Sequence, residues 1–200
     1  MSRIASRRLS TAAVLFALAA LLAGCGSLGR IDRSEGASRR IVDYDRVVVG
    51  EFVNNDRRPA KDEESAAAQA AAVDVGRRAF ADRIAEEIGK TGAFAEVSRE
   101  PLAGPALRVA GSIDQWEPGN IAARSLLGFA GKSQFDATVV ISDAQTGEEL
   151  ARIVVDRNSW PLPIGASTNL VQTVEFLMGQ AAARVASELA AARGVAGSNP

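Results

Sequence analysis

Two segments of alternating apolar and polar residues constrain the fold of this chain more than any other feature. Leu107–Asp114 and Phe135–Ser142 each place an apolar residue at every second position, which is typical of a β-strand with one buried face. Asp143–Gly147 follows as a tight turn, where Gly147 is expected to take a positive φ angle. Glu149–Asn158 is the returning strand. All strands that follow the first predicted helix, Asp62–Lys90, are too close in sequence for parallel crossovers, so hairpins are expected between them, and one face of the resulting sheet is expected to stay polar.

The rest of the chain predicts two helices and two more strands. Tyr44–Asn54 contains a β-branched apolar run that predicts a strand, and Phe94–Arg99 predicts a short one. Asp62–Lys90 is rich in alanine and begins with acidic residues that suit a helix N-terminus. A final helix is expected to begin at Thr168 or Asn169. Each helix has one apolar stripe; the stripes are Val73, Phe80, Ile84 and Ile88, and then Val174, Leu177, Met178, Ala181, Val185 and Leu189.

These elements define a fold class. A helix with one apolar stripe must bury that stripe against another element, and the apolar face of the sheet is the surface that can receive both helices. We therefore predict an α/β protein of the α+β type that forms an open-faced sandwich. The sheet is expected to be mixed or mainly antiparallel, with about four to five strands and both helices on one face.

The N-terminus has the pattern of an export signal. Three arginines precede the uncharged run Thr11–Ala23, which is shorter than the about 20 residues of a permanent transmembrane helix. The run ends in Leu22–Cys25, whose sequence Leu-Ala-Gly-Cys resembles the bacterial lipobox at every position. This resemblance implies that the chain is cut before Cys25 and that the Cys25 Sγ is acylated. The alternative is that Cys25 is a buried free thiol beside an ordinary cleavage site.

An acylated Cys25 would place the protein in the cell envelope. Two or more acyl chains anchor a protein stably, whereas one chain binds only reversibly. The next residue is Gly26 rather than the aspartate that signals inner-membrane retention, so we expect the outer membrane, with the protein facing the periplasm. The predicted divisions of the chain are a lipoprotein signal peptide (1–24), a flexible tether (25–43), a single α/β domain (44–193) and a disordered tail (194–200).

Composition limits the chemistry that the chain can perform. The 23 basic and 24 acidic residues nearly balance, so a nucleic acid is not an expected partner. The chain has no histidine, the commonest general base and metal ligand, and Cys25 is the only cysteine. We therefore predict no metal site, no cofactor and no enzymatic activity.

One glycine-rich segment invites comparison with a phosphate-binding loop. Gly128–Ser133 ends in Gly-Lys-Ser, but such a loop needs an earlier glycine at the position that Leu126 occupies. A phosphate-binding loop also leads into a helix, whereas a strand pattern follows Ser133. The segment is therefore interpreted as a glycine-rich turn, and no bound nucleotide is predicted.

A longer segment carries a family resemblance. Gly119–Gly131 contains an arginine and a Gly-Phe-Ala-Gly turn, and an alternating strand, Asp143–Gly147 and Leu150 follow. With the Val47–Phe52 strand, this arrangement resembles the bacterial lipoprotein family of domain of unknown function 4410 over about Tyr44–Ala191. The family implies no established activity.

Three residues are candidate partner contacts. Arg124 is the one charged residue of the Gly119–Gly131 segment, and its alternative role is to bond the carbonyl groups of that turn. Trp116 and Trp160 each follow a strand and lie near proline, so they could form an aromatic patch for a partner or pack locally.

The sequence thus predicts a membrane-anchored envelope lipoprotein with a non-catalytic binding or adaptor domain in the periplasm. Its expected partners are the membrane, through Cys25, and another envelope protein. The alternative is a subunit of a structural or secretion-related oligomer in the outer membrane, formed by self-association. The polar face of the sheet, with Arg108, Asp136 and Arg152, is then either bare surface or an oligomer contact.

Overall fold

A computed structural model of the chain describes residues 31–119, 133–158 and 173–195. Within these ranges there are six strands and two α-helices, together with a short 3-10 turn at Ile41–Asp43. The elements are β1 (Ile31–Arg33), β2 (Arg46–Asn54), α1 (Glu63–Thr91), β3 (Glu96–Ser98), β4 (Leu107–Glu117), β5 (Gln134–Asp143), β6 (Glu149–Asn158) and α2 (Val174–Ala192).

The strands form one mixed sheet in the order β1-β6-β5-β4-β2-β3. β4, β5 and β6 form consecutive antiparallel hairpins, and Gly147 has a φ of 76° in the β5–β6 turn. The helices pack against each other, α1 on β2 and β4, and α2 on β5 and β6. The predicted α+β class and the two helices on one face are confirmed. Every residue of the two predicted stripes is buried.

The expectation that hairpins join all strands after the first helix is wrong for β3 and β4. Both strands run parallel to β2 and lie on opposite sides of it. Ser98 pairs with Val48, and Leu107 pairs with the adjacent Val47. The end of β3 and the start of β4 therefore lie at the same level on either side of β2. The connection, residues 99–106, has only to cross β2, and a short loop is sufficient.

The predicted tether boundary is also corrected. Residues 31–43 belong to the domain, because β1 pairs with β6 and Ile41 is buried in the core. β1 is therefore an additional strand beyond the expected count. The cap of the last helix is Thr173, whose side chain accepts a hydrogen bond from the Phe176 N–H, instead of Thr168 or Asn169. Those two residues lie outside the described ranges.

An aromatic chain connects the sheet to α1. Phe80 contacts Phe52 and Phe135 edge to face, with ring centroids 5.0 and 4.9 Å apart, and Trp116 contacts Phe135 at 5.8 Å. The Trp116 ring lies directly over Gly76 of α1, where a side chain would leave no room for it. Gly76 therefore lets the indole ring approach the helix backbone.

Replacing Gly76 with alanine is expected to destabilise the domain. The new Cβ would lie 2.5 Å from Cζ3 of Trp116, and overpacking of this kind costs about 1–3 kcal/mol, which outweighs a helix-propensity gain of up to ~1 kcal/mol. Gly89→Ala is the matched control, because nothing lies within 4 Å of a Cβ at that position. Urea denaturation should give a lower midpoint for Gly76→Ala and a higher one for Gly89→Ala. Equal shifts would contradict this account.

Candidate functional site

The face of the sheet that points away from the helices is the main exposed feature of the domain. We call this surface the open face, and among the described residues no helix packs on it. Alternation along three neighbouring strands dictates which side chains reach it. They include Arg108, Ser112 and Asp114 of β4, Asp136, Thr138 and Val140 of β5, and Arg152, Val154 and Asp156 of β6.

A hydrogen-bond network occupies part of this face. Asp114 Oδ1 accepts from Ser112 Oγ at 2.7 Å and from Asn55 Nδ2 at 2.9 Å. Its Oδ2 accepts from Thr138 Oγ1 at 2.7 Å. The network links the loop after β2 to the surfaces of β4 and β5, so these side chains are held in fixed positions.

Charge is distributed unevenly along the open face. Asp114, Asp136 and Asp156 lie towards the end where β4 and β6 finish, and Arg108 and Arg152 lie towards the opposite end. Arg152 also binds Glu149 through a 2.7 Å contact, which raises the pKa of its guanidinium. Between the two ends, Val154 is 57% exposed. The face thus presents an acidic end, a partly apolar centre and a basic end.

The acidic end contains two carboxylates on directly opposed residues. Asp136 of β5 pairs in register with Asp156 of β6, and neighbours in this arrangement repel when both are charged. Burial raises the pKa of Asp136 to about 6, the hydrogen bond from Gln134 opposes the rise, and the charge on Asp156 adds to it. The Asp136 Oδ1 is buried and has no hydrogen-bond partner among the described residues.

Asp136→Asn is expected to make stability less dependent on pH. The folded pKa of about 6 exceeds the unfolded value of about 3.9, so folded Asp136 holds its proton at higher pH, and stability falls as pH rises between these values. Asparagine removes this loss while keeping an acceptor for Gln134. In urea denaturation, the variant should match wild type near pH 4 and exceed it by about 1–2 kcal/mol near pH 7.5, after allowance for solvent screening. The exposed Asp32→Asn is the control, and parallel pH curves for all three proteins would refute the prediction.

A second polar cluster, the Asp56–Arg58 lock, closes the same end of the sheet. The Asp56 carboxylate is only 1% exposed and accepts from Arg58 Nη2 at 2.7 Å and from the Trp116 N–H at 3.0 Å. Arg58 also donates to Glu117 and to the Trp116 carbonyl oxygen. Burial opposes ionisation of Asp56, but the hydrogen bonds from Arg58 and Trp116 hold its pKa below the usual value.

The lock lies beside the start of the 120–132 segment, and a further bond joins the two sides of that segment. Ser133 is fully buried, and its Oγ donates to the Pro118 carbonyl oxygen at 2.8 Å. β5 begins at the next residue, which confirms that a strand, and not the helix of a phosphate-binding loop, follows Ser133. The Gly128–Gly131 part lies outside the described ranges.

The Asp143–Gly147 turn holds the N-terminal segment in place at the opposite end of the sheet. Asp143 accepts from Tyr44 Oη at 2.5 Å and from the N–H groups of Gln145 and Thr146. These bonds, led by that of Tyr44, lower the pKa of Asp143, and burial with the same hydrogen bond raises the pKa of Tyr44 to about 12. The aspartate of the family-like motif therefore has a structural role.

The structure describes only one of the predicted site residues, Trp116. Cys25, Arg124 and Trp160 lie outside the described ranges, so their assignments stay predictions. Trp116 is 7% exposed and packs in the core against Phe135 and α1. The ring is not at the surface, which corrects its assignment as a partner contact and favours the packing alternative.

Sequence reasoning missed the Asp56–Arg58 lock and the Asp136–Asp156 pair. The first lies in a stretch that reads as a polar loop, and its partners are about 60 residues away in sequence. The Asp136–Asp156 pair could have been found in part, because period-two alternation places Asp136 on the polar face of its strand. The sequence did not give the register of β6, which brings Asp156 opposite Asp136. Within the ranges that the structure describes, no group of three or more potential metal-ligating side chains occurs.

The mixed six-stranded sheet with two helices on one face defines an α+β domain, and the sequence match is specific. The chain belongs to the family described as Domain of unknown function (DUF4410), whose model matches residues 47–162. Among curated proteins, none matches this sequence. No helix in the described part of the chain is long and apolar enough to cross a membrane.

Solved structures show weaker likenesses. The PelC dodecamer from Paraburkholderia phytofirmans is similar with 13% identity and a TM-score of 0.43, covering 78% of this chain and 98% of that one. Protein XCC0632 from Xanthomonas campestris has 14% identity and a TM-score of 0.43, covering 72% and 83%.

Proposed function

We propose that this protein is a bacterial envelope lipoprotein, anchored by acylated Cys25, whose domain binds another envelope protein through the open face. The observation that carries the proposal is the open face itself, where charged side chains flank a partly apolar centre and no described helix covers them. The Leu22–Cys25 motif supplies the anchor, and Gly26 favours the outer membrane with the domain in the periplasm.

We assign the domain a non-catalytic role. Two buried clusters of the described chain that contain a carboxylate are occupied by structural bonds, Asp56 with Arg58 and Asp143 with Tyr44. Each cluster joins the ends of separate segments, so its groups serve to hold the fold together.

The anchor is tested by acyl labelling and membrane fractionation of wild type against Cys25→Ala. We expect wild type to incorporate labelled fatty acid and to sediment with the outer membrane, and the variant to lose both properties. Gly26→Asp should keep the label and move the protein to the inner membrane. Labelling that persists in Cys25→Ala would refute the anchor.

The binding surface is tested by photo-crosslinking in intact cells. A crosslinker at Val154, on the open face, should capture a partner protein, and one at Val75 should not. Val75 is a matched control because it is similarly exposed, at 65% against 57%, and lies on α1. Equal capture at both positions, or none at Val154, would contradict binding through the open face.

A second candidate function is a subunit of a homo-oligomer, and the charge distribution of the open face favours it. A surface with an acidic and a basic end becomes complementary to itself when a second copy is rotated by half a turn. In that arrangement Arg108 of each copy faces the acidic end of the other. Mass measurement of the detergent-solubilised protein distinguishes the candidates, because a strict monomer would remove this one.

A further inference from the structure

A pocket lies between the N-terminal segment, the start of β6 and the end of α2. Its volume is about 260 Å³, comparable to that of a small polar molecule. Three of its lining residues are arginines, and its walls are otherwise small or apolar: the lining includes Arg33, Arg39, Arg40, Ile41, Leu150 and Ala192. No carboxylate lines the pocket, although Asp32 and Glu35 flank it in sequence. The pocket is therefore a cationic recess with an apolar wall.

The segment that forms the pocket is fixed to the domain. The Ser34 N–H donates to the Leu150 carbonyl oxygen at 3.0 Å, and β1 continues the pairing on β6. Arg39 lies over the Tyr44 ring at 5.8 Å and 3.6 Å from Asp143. Arg33 and Arg40 remain exposed to solvent. Arg40 forms an ion pair with Asp43 at 3.7 Å, but its side chain is 81% exposed, so its guanidinium group is still accessible to a ligand.

The position of the pocket along the chain indicates where that ligand is found. Only residues 26–30 separate Cys25 from β1, and a fully extended chain of this length spans about 20 Å. If Cys25 is acylated, β1 and the pocket beside it lie within that distance of the lipid headgroups. Anionic headgroups attract nearby arginines by about 1 kcal/mol each, and guanidinium groups bind phosphate through paired hydrogen bonds.

We propose that this pocket binds the phosphate headgroup of an anionic phospholipid in the membrane that holds the anchor. The inference rests on the proposed acylation of Cys25. Its consequence is orientation: a lipid anchor alone leaves the domain free to rotate, whereas a second contact at residues 31–43 fixes the β1 edge towards the bilayer. The open face is then directed sideways, where a partner in the same membrane can reach it.

The test uses the acylated mature protein in nanodiscs of phosphatidylcholine alone or of equal parts phosphatidylcholine and phosphatidylglycerol. Amide hydrogen exchange is measured in peptides from residues 31–43, with 47–53 as an internal reference for folding. We expect several-fold slower exchange in 31–43 on the phosphatidylglycerol discs. An Arg33→Gln and Arg40→Gln double variant should lose this slowing, because each arginine contributes roughly five-fold to headgroup affinity. Arg83→Gln, an exposed arginine on α1, should retain it.

The other outcomes separate the two proposals. Retention on both discs with identical exchange would overturn headgroup binding and leave the anchor intact. Equal slowing by inorganic phosphate on phosphatidylcholine discs would show a site for free phosphate and overturn the lipid assignment. Failure of the protein to stay on either disc would overturn the anchor, and headgroup binding with it.

Discussion

Gly111→Ala should cause the largest loss of stability of any single substitution considered for this domain, about 3–5 kcal/mol. Gly111 lies in the middle of β4, opposite Val139 of β5. A Cβ at this position would lie 1.9 Å from the Thr138 carbonyl oxygen and 3.1 Å from the Val139 Cα. Both atoms belong to backbone, so they cannot rotate away as a side chain would, and the β4–β5 ladder would have to separate locally.

Urea denaturation of wild type and Gly111→Ala measures this loss. A loss of this size is a large fraction of the 5–15 kcal/mol that stabilises a typical domain, so the variant is expected to be partly unfolded at 37 °C. Gly50→Ala is the matched control on the neighbouring strand β2, where the nearest atom to a new Cβ is Arg108 Nε at 3.1 Å. That side chain is flexible and can move. Similar losses for the two variants would show that close backbone approach is not the cause.

Gly111 also illustrates what an alternating pattern can and cannot predict. Alternation in Leu107–Asp114 predicted the strand and its buried face, because burial of one face imposes a period of two. It gave no sign that one position of the pattern must lack a side chain. That requirement arises from the distance to β5, which is a property of the folded sheet.

The elements that the sequence did not predict are those held by long-range polar bonds. β1 has three residues, of which only Ile31 is apolar, and its position depends on pairing with β6 and on the Glu188 carboxylate, which accepts from the Ile31 N–H at 3.3 Å. The parallel placement of β3 depends on β2 lying between it and β4. Long stretches with a strong period were predicted correctly, and so was β3 as a short strand, but β1 and the parallel pairing of β3 were not.

The same distinction applies to the candidate site. Alternation correctly placed Arg108, Asp136 and Arg152 on the open face. Trp116 was placed at the correct end of β4, but its burial depends on Gly76, which is on a different element. A register shift between Ile113 and Gln115 turns Trp116 to the buried face, opposite Phe135, and Gly76 leaves room for its ring. Neither the shift nor the glycine can be read from the alternation of β4.

Arg58→Ala is expected to destabilise the domain by about 2–4 kcal/mol at neutral pH, because it leaves the buried Asp56 carboxylate without its cation. Two backbone N–H groups, of residue 58 and of Trp116, still bind Asp56, so the loss should fall below that of a fully unpaired buried charge. The matched control is Arg83→Ala, which breaks the ion pairs of an exposed arginine with Glu86 and Glu87 on α1 and should cost less than about 1 kcal/mol.

The pH dependence identifies the mechanism of that loss. In wild type the folded pKa of Asp56 lies below its unfolded value, so the lock stabilises the fold above about pH 4 and this contribution is lost as pH falls through the folded pKa. Without Arg58, burial raises the pKa of Asp56, and the protonated carboxyl is tolerated. The difference in the free energy of unfolding between wild type and Arg58→Ala should therefore become smaller as pH is lowered, as measured by urea denaturation. The double variant Asp56→Asn, Arg58→Ala should be more stable at neutral pH than Arg58→Ala alone. A gap that stays constant with pH, together with no rescue by Asp56→Asn, would show that Arg58 acts through its contacts with Trp116 and Glu117 instead.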